Sequence, residues 1–225
     1  PFHMWAPDVY EGSPTPITAF LSVASKAAGF AVVLRVFYMA FDIPIVSVEW
    51  SAIFAVLSAL SMSVGNLIAV RQDNIKRLLA YSTIAHAGYL LVGVAAIASR
   101  SADGDSSGPS GVLFYLGGYA ATNLAAFTVV IAISERIGSD AIDDFAGMAK
   151  RSPYLAGVLG FSMISLIGVP PAVGFVTKVY IFGSAVEANL EWLAIVGVIN
   201  SVVSAYYYLR VVKVMYLSPA PSMEP

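Results

Sequence analysis

The sequence predicts an all-α membrane protein, a polytopic bundle of about six transmembrane helices with one helix broken near residues 168–174. Three observations predict this fold. The 225 residues are 58% hydrophobic and 12% charged, whereas a soluble domain carries about 25% charged residues. The mean hydropathy is +0.79. Several apolar runs reach the ~20 residues that a helix needs to cross a bilayer, and the alternating ten-residue pattern of a membrane barrel does not compete with them.

Six apolar segments have this length. They run from Thr15 to Phe41, Trp50 to Val70, Leu78 to Ser99, Val112 to Ser134, Pro153 to Val186 and Leu190 to Tyr216. The fifth is too long for one straight span and contains the sequence GVPPAVG at residues 168–174. We treat residues 1–225 as a single membrane domain, a fragment of a larger subunit, and we expect both ends to be truncated.

The fifth segment carries four residues that disrupt a helix: Gly168, Pro170, Pro171 and Gly174. Proline cannot donate to the helical hydrogen-bond ladder, and unpaired backbone groups at membrane depth are tolerated only inside protein or beside water. Broken helices near the bilayer midplane recur in transporters. The sequence therefore predicts a functional break, with a simple proline kink as the alternative.

Polar connectors separate the spans. They are PDVYEGSPTP, RQDNIKR, SADGDSSGPSG and SERIGSDAIDDFAGMAKRSP. The third is rich in glycine and serine and predicts a flexible surface loop. The fourth has apolar residues at Ile142, Phe145 and Met148, a spacing that predicts a short amphipathic helix on the membrane surface.

Basic residues favour one side of the membrane when the six spans alternate. That side receives Arg71, Lys76, Arg77, Arg136, Lys150, Arg151, Arg210 and Lys213, and the other receives Arg100 and, by snorkelling, Arg35. Because cytoplasmic loops carry an excess of lysine and arginine, we expect the loops with Arg71, Lys76, Arg77, Lys150 and Arg151 to be cytoplasmic in a multi-pass membrane protein.

Several kinds of site are excluded by composition. The chain has no cysteine, which excludes disulfides, cysteine-ligated iron–sulfur clusters and thiolate zinc sites here. Two histidines are too few for a histidine-built metal site. Dinucleotide-binding glycine patterns, Walker motifs and nucleophile elbows do not occur. We therefore expect no bound cofactor, no metal, no redox-catalytic residue and no nucleic-acid partner.

Two lysines fall inside predicted spans. Lys26 lies about ten residues into the first span, about 15 Å deep at 1.5 Å per residue. Lys178 follows the break in the fifth span. A charged lysine at a helix centre costs roughly 2.5–3.5 kcal/mol on insertion scales, and such residues usually face a bundle interior or a wet cavity and mark ion paths. The alternative for either lysine is snorkelling or a structural ion pair.

The partners of these lysines are not evident in the sequence. Every aspartate and glutamate falls in a connector or near a helix end, so a partner must come from other helices or from water. Burial in hydrocarbon disfavours the charged form of a lysine, which suits a group that loads and releases a proton. Lys178 is also predicted in the first turn of the second half-helix, where the positive end of the helix dipole would disfavour its charge further.

Three other polar residues lie inside predicted spans. His86 is about nine residues into the third span, at a depth similar to that of the two lysines, and imidazole exchanges protons near neutral pH. We expect it to act as a proton relay, with a hydrogen-bonded interior histidine as the alternative. For Asn123 and Asn66 we expect hydrogen bonding between helices first, and lining of a water path second.

Three stretches carry a family resemblance over essentially the whole chain. They are PFHMWAPDVYEGSPTPITAFLSVASKAAGF, DNIKRLLAYSTIAHAGYLLVG and GVPPAVGFVTKVYIF. They resemble the antiporter-like subunit N family of bacterial respiratory complex I, the NADH–quinone oxidoreductase. The first stretch is the most specific, because sibling subunits and cation/proton antiporter subunits differ around Lys26, whereas NIKRLLAYS is shared across the superfamily.

The resemblance implies a function. The chain would span family helices eight to thirteen, with residues 1–8 closing helix seven. Lys26 matches the lysine of the eighth helix in the middle of the family's proton path, Lys178 that of the broken twelfth helix, and His86 a histidine of the tenth. A glutamate of helix five and a lysine of helix seven would lie upstream. The implied partners are other membrane subunits of complex I, the lipid bilayer and protons.

The implied mechanism is charge-coupled proton transfer along a hydrated row of titratable groups. Lys26 would exchange protons along the row and Lys178 would pass them toward the far side, while NADH, FMN, iron–sulfur clusters and quinone would be bound by other subunits. Two alternatives remain. One is a subunit of a Na⁺/H⁺ antiporter of the same superfamily, and the other is a purely structural membrane subunit.

Overall fold

The computed structural model describes residues 3–40, 44–96 and 107–219, with the side chains of 44–48 and 107 left aside. Nine α-helices occupy these ranges. They are α1 (Ala6–Gly12), α2 (Thr15–Ala40), α3 (Pro44–Ala69), α4 (Ile75–Ala95), α5 (Ser107–Ile137), α6 (Met148–Arg151), α7 (Pro153–Ile167), α8 (Val173–Glu187) and α9 (Glu191–Leu217). A 3₁₀ turn spans Ile142–Phe145, and two stretches of α2, Leu21–Ser25 and Val36–Ala40, have π-helical geometry.

The predicted membrane bundle is confirmed. Within the described ranges, five helices are long and apolar enough to cross a membrane: Thr15–Ala40, Glu49–Ala69, Ile75–Ala95, Gly108–Ile137 and Glu191–Leu217. The fifth predicted span is present as two shorter helices, α7 and α8, on either side of residues 168–172. The predicted end of the third span, at Ser99, lies outside the described residues.

Helix α4 forms the centre of the bundle. Nearly all of its side chains are buried, and it contacts α1, α3, α5, α8 and α9. Small residues allow this close packing. A Cβ added to Gly88 would lie 2.6 Å from the Met62 side chain, and one added to Gly65 would lie 2.8 Å from the backbone of Ala85. Polar side chains on α4 are therefore surrounded by other helices.

All four predicted connectors contain some helical residues, and two of them change most from the prediction. Helix α1 includes the first residues of the connector PDVYEGSPTP. Pro7 lies in its first turn, where the missing N–H of proline has no cost. Residues 107–111, predicted as part of a flexible loop, form the first turn of α5. Residues 101–106 of that loop lie outside the described residues.

The prediction of a surface helix around Ile142 is wrong. Ile142, Phe145 and Met148 are each at most 4% exposed, and the segment packs against α9. An amphipathic pattern requires only that one face be covered by apolar material, and here the bundle covers it instead of lipid. Asn74, which caps α4, also pairs with Ala141 in an isolated β-bridge that holds the segment in place.

Charged groups of separate connectors meet at one end of the bundle. The buried Lys76 ammonium donates to the carbonyl oxygens of Glu11 and Ser13, at 2.9 Å each, and lies 3.5 Å from the Asp140 carboxylate. Arg77 pairs with Glu11 at 2.6 Å. The connectors after α1, before α4 and after α5 therefore share one end, as the alternating spans require.

Candidate functional site

Lys26 points into the bundle, toward α4. Its ammonium donates a hydrogen bond of 2.9 Å to the Thr83 carbonyl oxygen and lies 4.0 Å from the centroid of the Tyr119 ring. Lys26 is the first residue after the π-helical stretch Leu21–Ser25. The ammonium is thus held by a carbonyl dipole and an aromatic face, both of which stabilise a cation without a formal negative charge.

A cavity of about 400 Å³ lies beside Lys26. It is bounded by α1, α2, α4 and the turn before α1, and the polar residues Tyr10, Ser22 and Thr83 are among those that line it. Asn123 of α5 donates to the Ser22 hydroxyl at 2.7 Å, and its own side-chain oxygen has no partner among the described residues. Asn123 therefore joins α5 to α2 at the rim of this cavity.

His86 is buried in the middle of α4 between two tyrosines. Its Nδ1 lies 2.7 Å from the Tyr115 hydroxyl and its Nε2 lies 3.3 Å from the Tyr208 hydroxyl. Tyr208 also bonds to the Ser82 hydroxyl. Both ring nitrogens therefore contact a hydroxyl group that can donate or accept a hydrogen bond. These contacts fit a hydrogen-bonded interior histidine, and they also fit a proton relay.

Lys178 reaches back to the end of the preceding half-helix. Its ammonium donates to the carbonyl oxygens of Leu166 at 3.2 Å and Ile167 at 2.8 Å, and to the Ser201 hydroxyl at 3.1 Å. These carbonyls belong to the last turn of α7, where a helix has no internal donors left. The Tyr89 ring lies on a further side, with its centroid 4.6 Å from Nζ.

The position of Lys178 corrects the expectation about the helix dipole. Lys178 is the sixth residue of α8 and lies in its second turn, not its first. Its ammonium contacts the carboxyl end of α7, which carries partial negative charge and stabilises a cation. The break therefore provides a cation-binding end, and the described part of the chain supplies no carboxylate to either lysine.

The break has a specific structure. Gly168 ends α7 in the left-handed conformation, with φ +88°, and a Cβ there would lie 2.9 Å from Cδ of Lys178. Pro170 and Pro171 follow in the interval between the helices. Gly174, predicted as part of the break, lies in the first turn of α8, where a Cβ would overlap the Ser165 carbonyl. Glycine is thus required for the close approach of the two half-helices.

Aromatic rings connect the three titratable residues. The rings of His86 and Tyr119 have centroids 4.9 Å apart, and those of His86 and Tyr89 lie 5.6 Å apart. Since Tyr119 also faces Lys26 and Tyr89 faces Lys178, the five side chains form one interior row: Lys26, Tyr119, His86, Tyr89 and Lys178. We call this set the interior row. It brings together all three residues predicted to carry protons.

Asn66 lies in a hydrogen-bond network next to the row. Its amide donates to the Tyr89 hydroxyl at 3.3 Å and to Asn200 at 3.2 Å, and it accepts from Tyr207 at 2.9 Å. These bonds join α3, α4 and α9. Asn66 therefore makes hydrogen bonds between helices and also contacts a member of the interior row.

The tyrosines that contact Lys26, His86 and Lys178 were not identified from the sequence. Tyr115, Tyr119 and Thr122 recur at spacings of four and three residues within an apolar span, which places them on one helix face. That spacing indicates a polar face on α5 and could have identified these residues from the sequence. Tyr89 and Tyr208 carry no comparable signal, because only packing determines which neighbour each one meets.

Comparisons with known proteins agree with this architecture. A family model described as NADH:quinone oxidoreductase/Mrp antiporter, TM, matches residues 1–204. NADH-quinone oxidoreductase subunit N of Dehalococcoides mccartyi is 52% identical over 220 residues, which cover 96% of this chain and 44% of that protein. The chain thus spans less than half the length of this relative.

Solved structures show the same arrangement. A chain of respiratory complex I from Thermus thermophilus with bound aureothin has a TM-score of 0.76 and 36% identity, covering 97% of this chain and 46% of that one. A chain of the Mrp complex from Dietzia sp. DQ12-45-1b has a TM-score of 0.85 and 27% identity, covering 96% and 38%. Because the family model matches most of the chain, this protein belongs to the NADH:quinone oxidoreductase/Mrp antiporter transmembrane family.

Proposed function

We propose that this chain is part of a proton-translocating membrane subunit of an NADH–quinone oxidoreductase. The observation that carries the proposal is the interior row, in which Lys26, His86 and Lys178 are connected through tyrosine rings inside the bundle. The 52% identity to a subunit N supports the choice of complex. Lys26, His86 and Lys178 act as the proton carriers.

The surroundings of the carriers suit reversible proton transfer. Neutral carbonyl and hydroxyl oxygens hold both ammonium groups, so release of a proton leaves no buried carboxylate without its counter-ion. Such an uncompensated charge is strongly destabilising in a protein interior. Protonation of one carrier also raises the electrostatic cost of protonating the next, so the row titrates as a coupled set.

Redox chemistry belongs to other subunits in this proposal. NADH, FMN, iron–sulfur clusters and quinone bind elsewhere in the complex, and the free energy of quinone reduction reaches this chain through neighbouring membrane subunits. The complex resides in the inner membrane. The end of the bundle that carries Lys76, Arg77 and Arg71 faces the cytoplasm, in agreement with the excess of basic residues there.

The test uses the full-length subunit within its complex. We expect Lys26→Ala to lower NADH-driven proton uptake into inverted membrane vesicles, since a positioned proton-transfer group typically contributes a factor of about 10²–10⁴ to the rate of its step. The control is Lys213→Ala, which removes an exposed lysine of α9. Unchanged uptake in the Lys26 variant, at equal complex content, would favour a purely structural subunit.

A Na⁺/H⁺ antiporter subunit is the second candidate function, because the Dietzia Mrp chain matches 96% of this chain. The two functions differ in the ion that is exchanged. Proton uptake that is driven by NADH and is independent of Na⁺ supports the oxidoreductase. Proton movement that requires a Na⁺ gradient and no NADH would support the antiporter.

A further inference from the structure

The Lys26 ammonium has more hydrogen-bonding capacity than its described neighbours use. An ammonium group has three donors. That of Lys26 makes one hydrogen bond, to the Thr83 carbonyl oxygen, and has the Tyr119 ring on another side. The ion pairs among the described residues belong to other cations, Lys76, Arg77 and Arg210. In the described part of the chain, Lys26 therefore keeps a donor without an acceptor and has no counter-ion.

The cavity beside Lys26 has the size and lining of a small-molecule site. Its volume is about 400 Å³, and such sites measure about 300–1,000 Å³ and have mostly apolar walls with a few polar groups. Its apolar walls include Leu21, Phe30, Ile84 and Leu91. A small inorganic anion at Lys26 would leave these side chains uncovered, whereas a molecule with an apolar body would cover them.

A second polar group in the cavity wall lacks a partner. His3 lines the same cavity, and its buried Nδ1 makes no hydrogen bond among the described residues. Most buried polar atoms in native proteins have a partner, so an unpaired one needs an explanation. An imidazole nitrogen that carries the ring proton can donate to a ligand oxygen, as the Lys26 ammonium can. The cavity therefore offers an acceptor group two donors, one of them cationic.

Gly29 marks the side on which the cavity opens. It lines the cavity and is exposed, and a Cβ added there would meet nothing within 4 Å. Gly29 belongs to α2, which is long and apolar enough to cross a membrane and also exposes Phe20 and Val32. An amphiphile dissolved in the bilayer would therefore reach Lys26 from the side of α2.

We propose that this cavity binds a long-chain carboxylate, whose head group accepts hydrogen bonds from Lys26 and His3 and whose apolar chain covers the walls. Charge complementarity selects this ligand, because the ligand supplies the anion that the described part of the chain does not. The binding site stands on the geometry of the cavity, and its effect on transport rests on the proposed function. A bound carboxylate would pair with the ammonium of a proton carrier, so the ligand would inhibit proton transfer through the interior row.

The test measures binding to the purified complex that contains the full-length subunit, with no transport involved. The probe is decanoate that carries a photoreactive diazirine, and cross-linked peptides are identified by mass spectrometry. We expect saturable labelling of peptides from α2 or α4. Unlabelled decanoate should displace the probe, whereas decanol, which has the same chain without the charge, should not.

Two variants test the two halves of the site. Lys26→Met removes the cation and should weaken binding about tenfold or more, since a hydrogen bond to a charged group is lost. Gly29→Leu fills the opening while Lys26 and His3 stay in place, and it should abolish labelling even if the Lys26 variant does not assemble. The matched control is Gly117→Leu, at an exposed glycine of α5 where an added Cβ also meets nothing within 4 Å. It should be labelled like the wild type.

The outcomes separate this site from the proposed function. Labelling that persists in both Lys26→Met and Gly29→Leu, or that decanol displaces as well as decanoate does, would overturn the site. Absence of labelling in the wild type would also overturn it, and a loss of proton uptake in Lys26→Ala would then leave the function standing. Labelling that depends on Lys26 and Gly29, together with unchanged uptake in Lys26→Ala, would support the site and overturn the function.

Discussion

Replacing Gly168 with alanine tests how the helix break holds Lys178. Gly168 has φ +88°, where a residue with a Cβ pays about 1–3 kcal/mol of backbone strain. The new Cβ would also lie 2.9 Å from Cδ of Lys178, so the lysine stem must shift. A shift that breaks one charge-assisted bond to an α7 carbonyl costs about 1.5–3 kcal/mol more. The expected loss of stability is therefore roughly 2.5–6 kcal/mol.

The matched control is Gly157→Ala on the same half-helix. Gly157 has ordinary helical geometry and an added Cβ would meet nothing within 4 Å, so alanine should be neutral or stabilising by up to ~1 kcal/mol. The assays are the unfolding midpoint of the full-length subunit in mixed detergent micelles and NADH-driven proton uptake by its complex. If the two variants have equal midpoints and equal uptake, the link between Gly168 and Lys178 is refuted.

Two further substitutions have defined outcomes. Tyr208→Phe removes the hydroxyl that faces Nε2 of His86. It should lower stability by about 1 kcal/mol and slow proton uptake. The control is Tyr206→Phe at an exposed position of the same helix, which should change neither. Lys76→Met leaves two carbonyls and a carboxylate without their cation at one end of the bundle. It should lower the stability of the fold by about 3 kcal/mol and reduce the amount of assembled complex on native gels. Lys213→Met, the control, should change neither.

The sequence predicted the fold and the titratable residues for a clear physical reason. Hydrocarbon imposes a length and an apolar composition on each span, so six spans are visible in composition alone. The same cost makes Lys26, Lys178 and His86 conspicuous inside those spans. Glycine and proline at 168–171 carry a local conformational signal, and the break occurs there.

The contacts of these residues could not be predicted in the same way. The oxygen that Lys26 contacts depends on how α2 is rotated about its axis relative to α4. The hydropathy of the sequence carries almost no information about that rotation. Ile142 shows the same limit, because its apolar spacing fits lipid and a neighbouring helix equally well. For Lys178 a usable rule existed: helical side chains tilt toward the amino terminus of their helix, so a residue in the second turn of α8 reaches back toward α7.

The geometry of α4 has a consequence for the membrane potential. The interior row meets α4 at Thr83 on the Lys26 side and at Tyr89 on the Lys178 side, six residues or about 9 Å of helix rise apart. The hydrocarbon core is about 30 Å thick, and a full crossing at 100 mV is worth about 2.3 kcal/mol. With α4 along the membrane normal and a uniform field, the passage between the lysines accounts for roughly 0.7 kcal/mol of that work. A proton therefore crosses most of the membrane potential before it reaches Lys26 and after it leaves Lys178, in the path segments that connect the interior row to the two aqueous phases.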